Sequence, residues 1–479
     1  MFRTLGDHPS SWESLLPPGL LRLPEELARV DALLDDPAFF APFAPYFHPV
    51  LGRPSTPVEC YLRLMFLKYR YRLGYETLCA EVSDSISWRR FCRIPLGAAV
   101  PHPTTLMKLT TRCGSAAVAG LNEALLARAA DQKLLRTARL RADTTVVPAN
   151  VSYPTDSGLL AKAIRRIAAT GRRIQAAGGA TRTRVRDRSR AAGKRAHAIA
   201  AKLRSRAAQA GDEKQAAVGR ATGELAGLAE RAADEAQRLL ANARRALRRA
   251  DAKAAALAAA GLRDPAAGRR RGRLRRAVSD LAQLLDVTRQ VAAQTRRRLA
   301  GAMPDGATRR VSLHDPDARP IAKGRLGRPV EFGYKAQVTD NDDGVVLDYA
   351  VEQGNPADGP QLAPAIGRVI RRTGKKPRTV TADRSYGEQL IEDDLRALGV
   401  RHVAIPRKGK PGKARQAAER RPAFRRAVKW RTGSEGRISA LKRQYGWDRT
   451  RLDGAEGART WTGYGILAHN LVKISALAS

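Results

Sequence analysis

The segment from residue 157 to residue 310 constrains the fold most, because it has no aromatic residue and is dominated by alanine and arginine. Its apolar residues recur at every third or fourth position, at Leu225, Leu228, Ala232, Leu239, Ala243 and Leu247 and again at Leu274, Val278, Leu281 and Leu285. This spacing predicts two long amphipathic helices. The sequence between them, GLRDPAAGRRRGR, contains glycine and proline, so we expect an antiparallel, coiled-coil-like hairpin.

Arginines crowd the end of this predicted hairpin, at Arg269, Arg270, Arg271, Arg273, Arg275 and Arg276. A cluster of this kind can clamp a phosphate backbone, and Arg270, Arg271 and Arg273 are therefore candidate DNA contacts. The alternative is a solvated, partly disordered arm, which the glycines at positions 171, 178, 179 and 193 favour.

The net charge of the chain limits the kind of partner that it can bind. Lysine and arginine total 87 against 46 acidic residues, which gives a net charge of +41. A chain this basic binds polyanions, and the release of counterions from phosphates makes that binding depend on salt. A ribosomal or chromatin-like basic protein is the alternative, but a hydrophobic fraction of 43% over 479 residues is enough for about two or three cored domains.

Cysteine usage and hydropathy point to the cytoplasm. Cys60, Cys79, Cys92 and Cys113 form no C-x-x-C pair and have no histidine at zinc-finger spacing, so we expect reduced thiols. No apolar run approaches the ~20 residues that span a bilayer, and the first residues lack the basic-then-apolar order of a signal peptide. A cytoplasmic protein that acts on the nucleoid and does not contact a membrane is predicted.

Residues 1–130 are predicted to be helical. Residues 57–71 place apolar side chains at spacings of three and four, with Lys68 and its basic neighbours turned mostly to the other side. A helix follows through TLCAEVSD, and another begins at Thr104 and Thr105, whose hydroxyls can cap it. Short helices with tight turns and basic residues fit a helix-turn-helix-like DNA-reading unit, and an ordinary helical domain is the alternative.

Downstream of residue 310 the pattern becomes that of an α/β domain. EFGYKAQVTD (331–340) and GVVLDYAVEQ (344–353) predict a β-hairpin, and RTVTAD and RHVAIP predict buried strands that each follow a helix. ARLRADTTVV (138–147) is an isolated strand of the same kind. Beside the hairpin, it gives the strand order of a ribonuclease-H-like sheet, with the Ala/Arg-rich segment inserted between the first and second strands.

The predicted organisation is therefore multidomain. Residues 1–130 form a helical DNA-binding domain. Residues 131–156 together with 311–479 form a ribonuclease-H-like α/β catalytic domain. Residues 157–310 form a helical insertion that interrupts it.

Three acidic residues are candidate metal ligands. Asp143 lies within the first strand, Asp383 ends the strand RTVTAD, and Glu435 lies near the start of the predicted helix SEGRISALKRQYG. Carboxylates on rigid elements hold the metal pair of two-metal phosphoryl transfer. Arg431 and Lys442, four residues before and seven after Glu435, are expected on the same helix face as phosphate-binding cations. The alternatives are surface carboxylates and an ordinary intrahelical Arg–Glu pair.

The chain resembles the bacterial insertion-sequence transposases of the DDE type, which have a ribonuclease-H-like catalytic domain. The resemblance covers nearly the whole chain. It rests on the N-terminal helical domain and on RADTT, SLHDPDARPIAKGRLGRPVEFGYKAQV, GNPADGPQL, TADRSYGE and R-x3-E-x6-K. Such families often carry a tyrosine three positions before that arginine, where this chain has Val428.

The resemblance implies an enzyme and its partners. Asp143, Asp383 and Glu435 would be catalytic and hold two Mg²⁺ ions, for which Mn²⁺ can substitute. The partners would be double-stranded DNA, namely the terminal inverted repeats of the element and a target. Cleavage would be followed by strand transfer, and a homo-oligomer on DNA is expected because two element ends must be held together. A nuclease without strand transfer and a catalytically inactive, DNA-binding relic are the alternatives.

Several further polar residues are weaker candidates. Lys335 and Arg384 could contact DNA phosphates, as could Tyr386. Asp358 is expected to cap the helix that follows it, and metal binding is the alternative. A set of residues could lie near the substrate or simply form Asp-Pro turns: His314, Asp315 and Asp317. A second set, of tryptophans, is expected to pack the C-terminal helices: Trp430, Trp447 and Trp461.

Overall fold

A computed structural model describes residues 1–5, 16–205, 211–325 and 328–478. It divides the chain into two compact units. The longer unit comprises residues 1–150 and 321–479, and the insertion unit comprises residues 151–320. Because the longer unit contains both ends of the chain, the insertion unit interrupts it in sequence.

The first part of the longer unit is helical. Two short 3₁₀ segments, Pro37–Phe39 and Ala41–Tyr46, separate its second and third helices. The helices are α1 (Pro18–Leu21), α2 (Glu25–Leu34), α3 (Val58–Arg70), α4 (Tyr75–Asp84), α5 (Ile86–Phe91) and α6 (Pro103–Asp131). The helices predicted over residues 57–71 and through TLCAEVSD are confirmed.

Two local predictions for these helices are wrong. Thr104 and Thr105 do not cap α6, because the helix begins one residue earlier and His102 accepts a hydrogen bond from the Thr104 N–H. Lys68 does not face solvent, because α3 is buried on every side. Its Nζ lies 4.5 to 4.8 Å from the ring centroids of Trp461, Tyr75 and Tyr69, and burial lowers the pKa of Lys68 to about 7.

A six-stranded mixed sheet forms the centre of the longer unit. Its strands are β1 (Arg139–Pro148), β2 (Arg319–Arg325), β3 (Arg328–Asp340), β4 (Val346–Gln353), β5 (Thr379–Thr381) and β6 (His402–Ala404). β3 pairs antiparallel with both β1 and β4, while β1 and β5, and β5 and β6, pair in parallel. The predicted β-hairpin and its position beside the strand at 138–147 are confirmed. β2, which also pairs with β3, was not predicted.

Helices follow the last strands of the sheet. They are α11 (Gly359–Thr373), α12 (Gln389–Ala397), α13 (Lys413–Arg420), α14 (Pro422–Arg431), α15 (Gly433–Gln444) and α16 (Gly454–Leu477). α16 packs against α2, α3, α6 and β4, so it joins the N-terminal helices to the sheet. Trp447 and Trp461 are buried in this packing, as predicted.

His469 on α16 is buried without a charged partner. Its Nε2 lies 3.0 Å from the Gly344 carbonyl oxygen, and no described residue hydrogen-bonds to its Nδ1. Burial, together with the nearby positive charge of Arg437, lowers the pKa of His469 from 6.5 to about 3. The native chain therefore holds a neutral imidazole that becomes charged when the chain unfolds in weak acid.

Acid should destabilise the chain through this histidine. Between pH 6.5 and about 3 the unfolded state carries the additional proton, so the free energy of unfolding falls as the pH falls, by up to about 5 kcal/mol. We expect His469→Gln, which does not titrate, to flatten this part of the profile. Urea denaturation of both proteins across this pH range measures the difference, and parallel profiles would contradict the assignment.

The insertion unit consists of helices in the described residues. They are α7 (Asp156–Ala176), α8 (Ser189–Arg204), α9 (Gly211–Ala259) and α10 (Pro265–Leu299). α9 and α10 pack against each other with only residues 260–264 between them, which confirms the predicted hairpin. α7 and α8, which were not predicted, add isoleucine and leucine side chains to the same core.

Two glycines in this unit allow its helices to pack closely. A Cβ atom added at Gly171 would lie 3.9 Å from Leu239 Cδ1, and one at Gly179 only 2.4 Å from Leu274 Cδ1. These positions bring α7 and the turn after it close to the hairpin, so the alternative of a partly disordered arm is wrong for the described part of this unit.

The four cysteines are free thiols, three of them buried and Cys79 partly exposed, as predicted. No helix in the described part of the chain is both long and apolar enough to cross a bilayer.

Candidate active site

A polar cavity of about 720 Å³ lies in the longer unit at the edge of the sheet where β1 and β5 meet. The three predicted carboxylates, Asp143, Asp383 and Glu435, all line it. So do three predicted cations, Lys335, Arg431 and Lys442. The tertiary structure thus brings together residues that are almost 300 positions apart in the chain.

The register of two parallel strands explains why Asp143 and Asp383 are neighbours. Arg141 on β1 is paired with Thr381 on β5. Asp143 and Asp383 each follow these residues by two positions, so they leave adjacent strands at the same level. Neighbouring strands are ~4.8 Å apart, and the two carboxylates therefore share one end of the cavity.

Asp143 is mostly buried and only partly neutralised. Its Oδ1 accepts a hydrogen bond from the Thr144 N–H at 2.8 Å, and its Oδ2 accepts one from Arg431 Nη1 at 3.3 Å. Burial raises the pKa of Asp143 to about 6, and the charge of Asp383 raises it too, although the Thr144 N–H, Arg431 and Lys323 act in the opposite direction. A further positive charge beside Asp143 would favour its ionised form.

Asp383 is held by the turn that follows it. Its Oδ1 accepts a hydrogen bond from the Ser385 N–H at 2.7 Å, which caps the short 3₁₀ helix Arg384–Tyr386. The Ser385 hydroxyl lies within hydrogen-bonding distance of both Asp383 Oδ1 and Asp358 Oδ2. The second oxygen of Asp383 has no hydrogen bond to the described residues in this arrangement.

Asp358 is a fourth carboxylate of the cavity, and it was predicted to cap a helix and not to bind metal. It lies at the N-cap position of α11, but its side chain makes no capping hydrogen bond, so that prediction is wrong. Instead, its Oδ1 lies 2.6 Å from Lys335 Nζ. The motif GNPADGPQL was the available signal, because its aspartate follows a strand end as Asp383 does.

Glu435 and Arg431 are arranged differently from the prediction of a single helix. Arg431 ends α14 and Glu435 begins α15. Thr432 between them keeps helical angles (φ −55°, ψ −21°), and the Glu435 N–H donates to the Thr432 carbonyl oxygen at 3.1 Å. This tighter turn keeps the two side chains together, and Arg431 Nη2 lies 3.5 Å from Glu435 Oε1.

Arg431 therefore bridges two of the carboxylates. One of its terminal nitrogens faces Asp143 and the other faces Glu435. The Glu435 side chain is 67% exposed. Among the described residues, no three histidine, cysteine, aspartate or glutamate side chains are close enough together to hold a metal ion.

The donor chemistry of the cavity nevertheless suits a hard divalent cation. Its acidic ligand candidates offer only carboxylate oxygens, which Mg²⁺ and Mn²⁺ prefer. Burial raises the pKa of the Asp143 carboxyl group to about 6, and a bound divalent cation would offset this by stabilising the ionised form. Asp143 and Asp383 are held rigidly, and Glu435 is the exposed and adjustable member of the set.

The other predicted contacts have different surroundings. Lys335 is largely buried and donates to the Pro356 carbonyl oxygen at 2.6 Å, so it braces the cavity wall. Arg384 is exposed beside Asp383. Tyr386 is fully buried, and its hydroxyl accepts a hydrogen bond from Gln337, so the predicted DNA contact is wrong for this residue.

Two predicted groups lie in the insertion unit. Arg270, Arg271 and Arg273 belong to the first turns of α10 and not to the break before it. Asp315 Oδ1 accepts hydrogen bonds from the N–H groups of Asp317 and Ala318. These bonds form a turn, which was the alternative to a position near the substrate.

A buried ion cluster, which no sequence pattern predicted, anchors the α14–α15 junction. Arg141 on β1 donates to both oxygens of Asp340 at 2.8 to 3.1 Å and to the Trp430 carbonyl oxygen at 3.1 Å. Ser434 and Arg437 also contact Asp340. A Cβ atom at Gly433 would lie 1.9 Å from Arg141 Nη1, so the close approach requires glycine there.

Two family models match this chain. A transposase domain (DUF772) matches residues 12–112, and a transposase DDE domain matches residues 302–471. The chain belongs to the DDE transposases of insertion sequences. This transposase is therefore a metal-dependent enzyme that acts on DNA, and a ribonuclease-H-like catalytic fold is implied by its family.

The matched ranges divide the candidate site unevenly. Asp383 and Glu435 lie within the matched DDE range, whereas Asp143 lies outside both ranges. The pairing of β1 with β5 is what associates Asp143 with the other two acids. No curated protein and no solved structure matches the chain.

Proposed function

We propose that this transposase binds the terminal inverted repeats of its own element, cleaves a DNA strand at the element end, and transfers the freed 3′ hydroxyl to target DNA. One observation carries the proposal. A single cavity is lined by the acids Asp143, Asp383 and Glu435 together with the cations Arg431 and Lys442.

The acids are assigned to a pair of divalent ions, Mg²⁺ or Mn²⁺. Asp143, Asp383 and Glu435 would hold them, and when bound they supply activation of the attacking oxygen and stabilisation of the leaving oxygen. Asp143 and Asp383 provide fixed carboxylate oxygens from adjacent strands. Glu435 reaches them from α15 by rearranging its exposed side chain.

The cations orient the DNA. Arg431 already contacts Asp143 and Glu435, so a phosphate that entered the cavity would meet its guanidinium between the two acids. Lys442 lies two turns further along α15 and lines the same cavity, where its ammonium would meet a neighbouring phosphate. Arg384, exposed beside Asp383, would contact a phosphate of the same DNA backbone.

Other parts of the chain are assigned to DNA binding outside the cavity. The short helices α3 to α5, with their tight turns, support a helix-turn-helix-like unit that reads the terminal repeats. The end of the α9–α10 hairpin is also assigned to DNA binding. Its charge supports this assignment, because residues 244–276 hold twelve lysines and arginines against two aspartates. A homo-oligomer on DNA follows from the need to hold two element ends.

Removing charge at the hairpin end tests part of this assignment. Replacing Arg270, Arg271 and Arg273 by glutamine should reduce the salt slope of duplex affinity by about 3, since each lost phosphate contact removes about one unit. A matched variant on α8 should leave the slope unchanged: Arg190→Gln, Lys194→Gln and Lys202→Gln. Fluorescence anisotropy at several salt concentrations measures both. Equal slopes in all three proteins would make the hairpin a spacer.

An excision-and-joining assay tests the whole proposal. A plasmid carrying this gene with its native flanking DNA is incubated with the purified protein and Mg²⁺. Joined products are the expected result. Nicks without joined products would instead assign a nuclease without strand transfer, and binding without any reaction would assign an inactive, DNA-binding relic.

A further inference from the structure

The segment between β6 and α15 is strongly and one-sidedly basic. Residues 407–431 contain eleven lysines and arginines against a single acid, Glu419. They form α13 and α14, which pack against each other, and α14 also packs against β5 and β6.

A groove of about 580 Å³ lies between these two helices and the starts of β1, β5 and β6. Its floor is apolar and includes Val403, Ala418, Phe424, Ala427 and Trp430. Its rim is cationic, with Arg139, Arg396, Arg401, Arg415, Arg421 and Arg426. An apolar floor with a cationic rim matches the alternation of sugar and phosphate in a nucleic-acid backbone.

Three of the rim arginines are already neutralised within the protein. Arg139 pairs with Asp342, Arg396 pairs with Glu392 and Asp393, and Arg415 pairs with Glu392 and Glu419. These pairs hold the groove in shape and leave little charge for a ligand.

The other three rim arginines are available. Arg401, Arg421 and Arg426 are exposed, and no carboxylate of the described residues pairs with them. A polyanion that entered the groove would neutralise these three unpaired guanidinium groups together and release their counterions.

The aromatic rings of the groove cannot serve as platforms for bases. The Arg139 and Arg141 guanidinium groups lie 4.9 and 4.7 Å from the Trp430 ring centroid, and that of Arg415 lies 5.5 Å from the Phe424 centroid. Since arginines already cover these rings, the groove offers phosphate and sugar contacts and not base stacking. Its partner is therefore the outside of a duplex.

One helix connects this groove to the active-site cavity. Phe424 and Ala427 of α14, and Arg421 at its N-cap, face the groove, whereas Arg431 at the end of the same helix lines the cavity. Ten residues of helix span ~15 Å. A duplex whose scissile phosphate lies at Arg431 would therefore pass the groove about four or five base pairs away.

We propose that the α13–α14 groove binds the phosphate backbone of the same DNA duplex that the active site cuts, with Arg401, Arg421 and Arg426 as the contacts. This rests on the proposed function, because it takes the cavity to be the place of cleavage. The groove fixes the direction in which the duplex leaves the active site.

A charge-removal experiment tests the groove. The variant carries Arg401→Gln, Arg421→Gln and Arg426→Gln, and the probe is a short fluorescein-labelled duplex of arbitrary sequence in buffer without divalent ions. The slope of log affinity against log salt should fall by about 3, and affinity at moderate salt should fall at least about tenfold. The corresponding lysine variant keeps the point charges and should retain most of the slope.

A matched control variant replaces three exposed cations at the end of α11, Arg371→Gln, Lys375→Gln and Lys376→Gln. We expect it to retain the wild-type slope. An unchanged slope in the groove variant, or an equal fall in the α11 variant, would overturn the proposal, provided that thermal melting shows all variants folded.

The test separates the groove from the proposed reaction. It measures binding without metal, so a protein that binds through the groove yet makes no joined product would refute strand transfer and leave the groove assigned. Joined products from a groove variant with an unchanged salt slope would refute the groove and leave strand transfer assigned.

Discussion

Asp383→Asn should abolish DNA cleavage, with a loss of at least about a thousandfold, because residues that act together in one catalytic centre are not replaced by their neighbours. The substitution preserves shape but removes the negative charge that a divalent ion would require. Duplex affinity should change by less than about twofold, since positioning contacts come from cations elsewhere. Cleavage of end-labelled element DNA and anisotropy of the same duplex provide the two measurements.

A metal-binding measurement makes this prediction sharper. Mn²⁺ binding followed by electron paramagnetic resonance should weaken in Asp383→Asn and in Asp143→Asn. Asp394→Asn, on an exposed aspartate of α12, is the matched control and should keep both cleavage and Mn²⁺ binding. Loss of duplex binding in parallel with cleavage would show that Asp383 has a structural role, and unchanged Mn²⁺ affinity would exclude it as a metal ligand.

Arg141→Met should cost about 3 to 5 kcal/mol of unfolding free energy, because it leaves a fully buried carboxylate without its principal partner. Asp340 has no solvent exposure, and Arg141 donates to both of its oxygens. The same arginine donates to Trp430 at the end of α14, beside Arg431. The substitution should therefore also displace Arg431 and Glu435 from the cavity and lower the cleavage rate. Urea denaturation and single-turnover cleavage measure the two effects.

The double variant Arg141→Met/Asp340→Leu separates these effects. Removing both charges should restore part of the stability, since a buried ion pair is often replaceable by apolar residues. Cleavage should stay low, because the hydrogen bonds to Trp430 and Ser434 are still missing. Recovery of cleavage together with stability would mean that the cluster stabilises the fold without positioning the α14–α15 junction.

The elements of the fold were predictable where periodicity is strong. The α9–α10 hairpin, α3, the β3–β4 hairpin and β1 were all predicted, because each buries one continuous apolar face that the spacing of residues reveals. α7 and α8 were not predicted, because glycines at positions such as Gly171 and Gly193 favour a disordered segment when only the sequence is considered. In the structure, Gly171 instead permits close approach to Leu239.

The residues of the candidate site were also predictable only in part. Asp143, Asp383 and Glu435 were each predicted from local motifs as metal ligands, and the structure places all three in one cavity. Three local predictions were wrong: the DNA contact of Tyr386, the placement of Arg431 and Glu435 on one helix, and the capping role of Asp358. Local sequence does not report which residues pack against a side chain. Arg384, Lys442 and the hairpin arginines stay predictions as DNA contacts.

The sequence by itself determined the charge, the apolar faces of the helices and strands, and the types of residue available for chemistry. The tertiary structure alone decided which of them meet. Asp143 adjoins Asp383 only because the register of β1 and β5 aligns Arg141 with Thr381. Arg431 follows Trp430, whose carbonyl oxygen accepts a hydrogen bond from Arg141 of the buried Arg141–Asp340 pair, which ties the end of α14 to the sheet. These are long-range pairings, whose partners are separated by up to about 300 residues, and no local pattern encodes them.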